Sequence, residues 1–188
     1  MEKFIDQIAE FIKSREYDLE NVHIILPSQR AKKYLQRAIF DQYAQPVFSP
    51  HITTMDRWVK QCSSRSVLDA TRTLFKLYQI HATISPDEDK GLDEFMKWGR
   101  TLLNDFDEID RYLIKSKDLF RNLRDIKDIE NWSFESEHLT PAQERFMAFW
   151  DLLPLYYEEL NKTLSKDQLA YMGSIYKEVA ENINLVFA

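Results

Sequence analysis

Three glycines, Gly91, Gly99 and Gly173, serve all 188 residues. Glycine is the residue that lets a backbone turn left-handed or run bare against a ligand, so a chain this poor in it is built from helices joined by few special turns. The same scarcity removes a whole class of chemistry. The phosphate loop G-x-x-x-x-G-K-[ST] and the dinucleotide fingerprint G-x-G-x-x-G both need closely spaced glycines so that bare N–H groups can wrap phosphates. Neither spacing occurs in the sequence. Hydrophobic residues make up 44% and aromatics 13%, enough for a packed core and too much for wholesale disorder.

Cys62 is the single cysteine, which leaves no disulfide framework and no cysteine-ligated zinc or iron–sulfur site within the sequence. A reducing, cytoplasmic setting is expected. "MEKFIDQIAEFIK" interrupts its apolar residues with Glu2, Asp6 and Glu10, unlike a secretory leader. No stretch approaches the uncharged apolar length that spans a bilayer, so no membrane partner is expected. The net charge of −6 is unevenly spread. From Leu26 to Ser66, Arg30, Lys32, Lys33, Arg37, Arg57, Lys60 and Arg65 face only Asp41 and Asp56. A basic segment on an acidic body is compatible with nucleic acid.

Phe4, Ile5, Ile8, Phe11 and Ile12 recur at helical spacing and predict a first helix. "VHIIL" (Val22–Leu26) is short, apolar and β-branched, and reads as a buried strand. Ser28 is placed to cap the next helix. That helix shows Tyr34, Leu35, Ala38 and Ile39 on one face and Arg30, Lys33 and Arg37 on another. "QPVFSPHITT" (Gln45–Thr54) is expected to be extended and to hold a second strand. Thr53 and Asp56 resemble a capping pair for a helix containing Trp58 and Val59.

From Ser66 onward the pattern is helical. One stripe runs through Leu68, Thr71, Leu74, Phe75, Tyr78 and Ala82, and a longer one from Leu92 through Phe95, Leu102, Phe106 and Ile109 to Leu113. "SPDE" (Ser85–Glu88), "TPAQ" (Thr140–Gln143) and "SKDQ" (Ser165–Gln168) each read as a helix start, the last opening a helix to about Ala180. "NINLVFA" is a second β-branched run, expected to be a strand returning to pair with "VHIIL". A sheet that resumes where the sequence stops suggests a fragment of a longer protein.

Few constellations suggest chemistry. "NDFDEIDR" (Asn104–Arg111) pairs Asp105 with Glu108 and Asp107 with Asp110 on helix faces, and is expected to be a solvated acidic face rather than a metal site. "PD" at Pro86–Asp87 and "DIK" at Asp125–Lys127 mimic a nuclease pattern by coincidence, since neither lies on a predicted strand. His23, His51, His81 and His138 lack metal-ligand spacing and are expected to be structural. Trp98 and Trp150 fall on apolar stripes. Trp58 is open to either a core or a base-stacking reading, and Trp132 is undecided. Ser28, Gln29 and Arg30 stand where a strand ends and a helix begins, with Lys32 and Lys33 beside them. The open N–H groups of a helix start favour an anion there, though a capped surface helix with ordinary lysines is the equal alternative.

Four segments in order, "IILPSQRAKKYLQ", "SPHITTMDRWV", "LLNDFDEIDRYL" and "LAYMGSIYKEVAE", resemble the N-terminal region of AddB-type proteins of Bacteroidetes. These are inactivated superfamily I helicases whose full-length forms usually end in a PD-(D/E)XK nuclease domain. The resemblance implies an α/β, helix-dominated fold: a partial RecA-like parallel sheet that has lost its Walker A loop, with a large helical insertion. It implies residues 1–62 as the first part of that domain, 63–180 as the insertion (1B-like) and 181–188 as the return strand. It places "ILPSQR" at the motif Ia strand and loop, which touches single-stranded DNA. Ser28, Gln29 and Arg30 are then the expected contacts, followed by Thr53, Thr54 and Trp58, with Lys32, Lys33 and Arg37 adding long-range attraction.

No catalytic, metal or cofactor residue is expected, because the Walker A position lacks glycine and the nuclease and its cysteine-bound cluster are absent from the sequence. The implied partners are single-stranded DNA and an AddA-type helicase-nuclease subunit, in double-strand-break repair. The alternative is an interaction module that docks a partner helicase without touching DNA.

Overall fold

The computed structural model describes residues 4–86, 91–132 and 141–186; side chains at 126–132, 141–147 and 185–186 lie outside the description. The chain is helix-dominated with short parallel strand pairs, and it divides into two compact units, Met1–Cys62 and Ser63–Ala188.

The first unit is a small α/β body. Helix α1 (Phe4–Ser14) leads through a 3-10 turn (Leu19–Asn21) to β1 (His23–Leu26), α2 (Gln29–Gln42), β2 (His51–Thr54) and α3 (Met55–Cys62). β1 and β2 pair in parallel, with His23 opposite His51 and Leu26 opposite Thr54. The strand–helix–strand order is what a parallel pair requires, because its connection must carry the chain back to the starting end. One core holds the unit: Ala9, Ile12, Leu19, Leu35, Ile39 and Ile52 are buried, with Ile24 and Leu26 packed against them. Side chains alternate across a strand, so Ile24, Leu26 and Ile52 face the helices while His23, Ile25 and His51 face away. β1 is therefore half-exposed rather than buried. Tyr34 does not join Leu35 and Ile39 in the core and is 53% exposed.

The second unit contains β3 (Ser66–Val67), α4 (Ala70–Ile84), α5 (Leu92–Arg111), α6 (Ser116–Trp132), α7 (Pro141–Lys166), β4 (Leu169–Ala170), α8 (Met172–Glu181) and α9 (Ile183–Val186). β3 and β4 form a two-residue parallel pair that ties the unit's first segment to the approach of α8. Leu74, Leu77, Phe95, Leu102, Leu103, Phe106, Tyr156, Tyr157, Leu160 and Leu164 centre the core, which α4, α5 and α7 build together. Trp98 meets His81, Phe95 and Phe149 edge-on, with ring centroids 4.7–5.2 Å apart, as its place on an apolar stripe implies. Helices α5 and α8 approach closely at Gly173: a Cβ there would strike the backbone carbonyl of Asp107.

Several sequence expectations are corrected. The buried stripe of α4 is Thr73, Leu74, Leu77 and His81, while Thr71 and Phe75 are exposed. Ser85 ends α4, its N–H donating to the His81 carbonyl, and Pro86 enters a 3-10 turn; Asp87 and Glu88, the rest of the expected helix start, lie outside the described residues. Pro141 does open α7, while Thr140 and His138 also lie outside. "SKDQ" closes α7 and turns, with Gln168 at φ 55°, and the last long helix starts at Met172. "NINLVFA" is not a return strand: Ile183–Val186 is helical and β1 takes β2 as its partner.

Candidate functional site

Parallel register puts the carboxyl ends of β1 and β2 side by side, and a helix begins immediately beyond each. In open α/β sheets this end is where ligands gather, because helix starts aim their N–H groups there. At the first start, Ser28 is extended and its Oγ accepts from the Ala31 N–H at 3.2 Å, while the Lys32 N–H reaches the Ser28 carbonyl. The cap expected from sequence is thus formed, and Gln29 and Arg30 supply the remaining open donors of the turn. Both residues are exposed, and the Arg30 guanidinium lies 5.8 Å from the Tyr34 ring centroid. Lys33 is exposed and Lys32 half-buried. Arg37 lies 3.9 Å from Asp41, both largely exposed. Seven residues along the helix is about 10 Å, so Arg37 stands well back from the strand ends.

At the second start, α3 begins at Met55, so Thr54 rather than Thr53 holds the position before the first turn. The Thr53 hydroxyl is buried without a hydrogen-bond partner among the described residues, so it does not accept from the Asp56 N–H as a capping hydroxyl would. Thr53, Thr54 and Trp58 are half-buried; Arg57 and Lys60 are exposed. The register therefore brings Ser28, Gln29 and Arg30 to the same sheet end as Thr53 and Thr54.

A second constellation was missed in the sequence. Asp110 is 1% exposed rather than solvated. One carboxylate oxygen accepts from the Tyr157 hydroxyl at 2.5 Å and from Lys177 Nζ at 3.0 Å, and the other accepts from the Tyr171 hydroxyl. One turn earlier, Asp107 accepts from the Gly173 N–H at 2.5 Å and from Arg111 at 3.1 Å. Only Asp105 and Glu108 match the expected exposed face. Burial, then Asp110, pushes the Tyr171 hydroxyl far above its ordinary range, and Tyr157 rises for the same reasons. For Lys177, burial favours the neutral amine, but Asp110 and Tyr157 outweigh it and the pKa rises.

Beside this cluster Arg65 Nε donates to Glu178 at 2.6 Å, and its Nη2 donates to the Ser174 carbonyl. Burial opposes the Glu178 charge, yet Arg65 and the Ser64 N–H hold its carboxyl below the usual range. A polar groove of about 520 Å³ runs past Arg65, Asn161, Lys177 and Glu178. Asp107 pairs with Arg111, Asp110 with Lys177 and Glu178 with Arg65, so the arrangement fastens α5, α7 and α8. The pattern Asp107–Asp110 at i, i+3 was its one sequence signal; the tyrosines and Lys177 are distant in the chain.

Among the described residues no group of three or more metal-ligating side chains occurs, and no helix is long and apolar enough to cross a membrane. The fold and sites together define a helix-dominated α/β chain with a basic helix start at the end of a parallel strand pair. No family model and no curated protein matches the sequence.

Proposed function

We propose that the chain is the N-terminal part of an AddB-type, catalytically inactive helicase-like subunit that holds or guides single-stranded DNA in double-strand-break repair. In this reading residues 1–62 begin a partial RecA-like domain, the helical unit is its insertion, and an AddA-type subunit supplies the motor. The chain carries out no catalytic step itself. The observation that carries the reading is the parallel register, which sets the open helix start at Ser28–Arg30 beside Thr53 and Thr54. Phosphates would take the N–H groups of Gln29 and Arg30 and the Arg30 side chain, while Lys32 and Lys33 draw the strand in.

The test is fluorescence anisotropy of a labelled single strand of about 20 nucleotides, long enough for one binding site. Binding is expected to weaken linearly in log Kd against log salt. The Arg30→Ala/Lys32→Ala variant should bind more weakly, with the slope reduced by about 0.7 for each phosphate that is no longer neutralised. Absence of binding at low salt would refute the reading. It would favour a docking module, which the exposure of Phe4, Phe40 and Phe48, each above 70%, supports independently.

A further inference from the structure

His23 and His51 were expected to be structural, yet neither is buried. They are direct partners across the parallel register, both exposed, on the sheet face turned away from the helical core. Their rings stack with centroids 4.8 Å apart and planes 20° from parallel. By contrast, His81 is 6% exposed and shares a 2.8 Å hydrogen bond with the Tyr156 hydroxyl. Among the described residues the rings of His23 and His51 have each other as their contact.

We propose that His23 and His51 chelate one divalent transition-metal ion of the borderline class, zinc, nickel or copper. Neutral imidazole is the commonest protein ligand for these ions, with metal–nitrogen distances of about 2.0–2.1 Å. Two such bonds on one metal set the nitrogens about 3 Å apart. Adjacent strands hold the two rings 4.8 Å apart, wider than that by an amount a side-chain rotation can close. The exposed rings need only turn toward each other for both lone pairs to converge. No third histidine, cysteine or carboxylate joins them among the described residues, so water completes the coordination and the ion exchanges readily.

The ion acts as a clip. Two-stranded sheets are marginal alone, and a link between β1 and β2 restrains the long connection through α2. The histidines sit at the amino ends of the strands, about 10 Å from the end that carries Ser28 and Arg30, so metal and anion do not compete.

The probe is zinc chloride titrated into the full chain without a histidine tag, read by calorimetry and by the shift in Tm, with copper(II) paramagnetic resonance to count nitrogens. The wild type should take one ion, rise in Tm as zinc is added, and show two equatorial nitrogens with copper. His23→Phe and His51→Phe keep a stacked ring but lose a ligand. Each should bind about tenfold or more weakly and show no Tm rise. Each should also keep the wild-type circular dichroism, which separates ligand loss from misfolding. No binding at millimolar zinc, or equal binding by both variants, overturns the proposal.

Discussion

Replacing Asp110 by alanine tests the description of the helical unit most severely. The carboxylate is 1% exposed and receives three donors. Its removal leaves the hydroxyls of Tyr157 and Tyr171, 7% and 4% exposed, without their acceptor, each costing about 1–3 kcal/mol. Lys177 is 30% exposed at its side chain and regains water, so its contribution is small. The sum, with the lost packing, is about 3–5 kcal/mol, in line with breaking a buried ion pair by removing one partner. For a unit of this size that is a fall in Tm of roughly 10–20 °C. Tyr171→Phe removes one donor and leaves the carboxylate two others, so it should cost about 1 kcal/mol. Asp105→Ala, on the exposed face of the same helix, should stay within about 0.5 kcal/mol. Urea unfolding followed by circular dichroism measures all three. An Asp110→Ala loss below about 1 kcal/mol, or equal losses at Asp105 and Asp110, would refute the claim that this network fastens the helices.

Other perturbations give distinct outcomes. Glu178 has a lower pKa folded than unfolded, so its stabilisation is complete above the ordinary value of 4.5 and drains away as pH falls through the depressed one; Glu178→Gln should flatten the acid limb of a stability–pH curve. Tyr171 has the opposite sign: its raised pKa gives stability that is complete below 10.0 and is lost as pH climbs above it, so Tyr171→Phe should blunt alkaline unfolding. Gly173→Ala drives a methyl into the Asp107 backbone and should cost about 2–3 kcal/mol in urea unfolding. Gly91→Ala meets open space and pays only for its φ of 93°, about 1 kcal/mol.

What could be read in the sequence was local. β1, the Ser28 cap, α2, β2 and α5 follow from periodicity, β-branching and capping chemistry within a few residues. What could not be read depends on distant partners. "SKDQ" has the composition of a helix start, but the same polar residues serve a helix end when Gln168 turns left-handed and β4 follows. "NINLVFA" has β-branched residues, yet Ile183–Val186 runs on as helix directly after α8, and β1 already has β2 as its parallel partner. The stripe of α4 missed Thr73, whose hydroxyl bonds back to the Asp69 carbonyl at 2.9 Å and so enters the core. Asp110 and Asp105 are indistinguishable in composition, and only the tyrosines of α7 and the approach to α8 decide which is buried. At the candidate DNA contacts the sequence indicated the cap and the basic residues; the register that sets Leu26 opposite Thr54, and so puts Ser28 at the same sheet end, appears only when the strands pair.

Arg65 follows the end of the first unit by three residues and is fastened at once to Glu178 and Ser174 near the chain's far end. The Ser63 and Ser64 hydroxyls and the Ser64 N–H converge on the same Glu178 carboxylate. This clasp joins the first segment of the helical unit to α8 across 113 residues of sequence. Closing so long a loop costs chain entropy once, and every hydrogen bond of the clasp then shares that cost. Fraying at either end of the unit must therefore open the same set of bonds, so the two segments are expected to protect their amides from hydrogen exchange together.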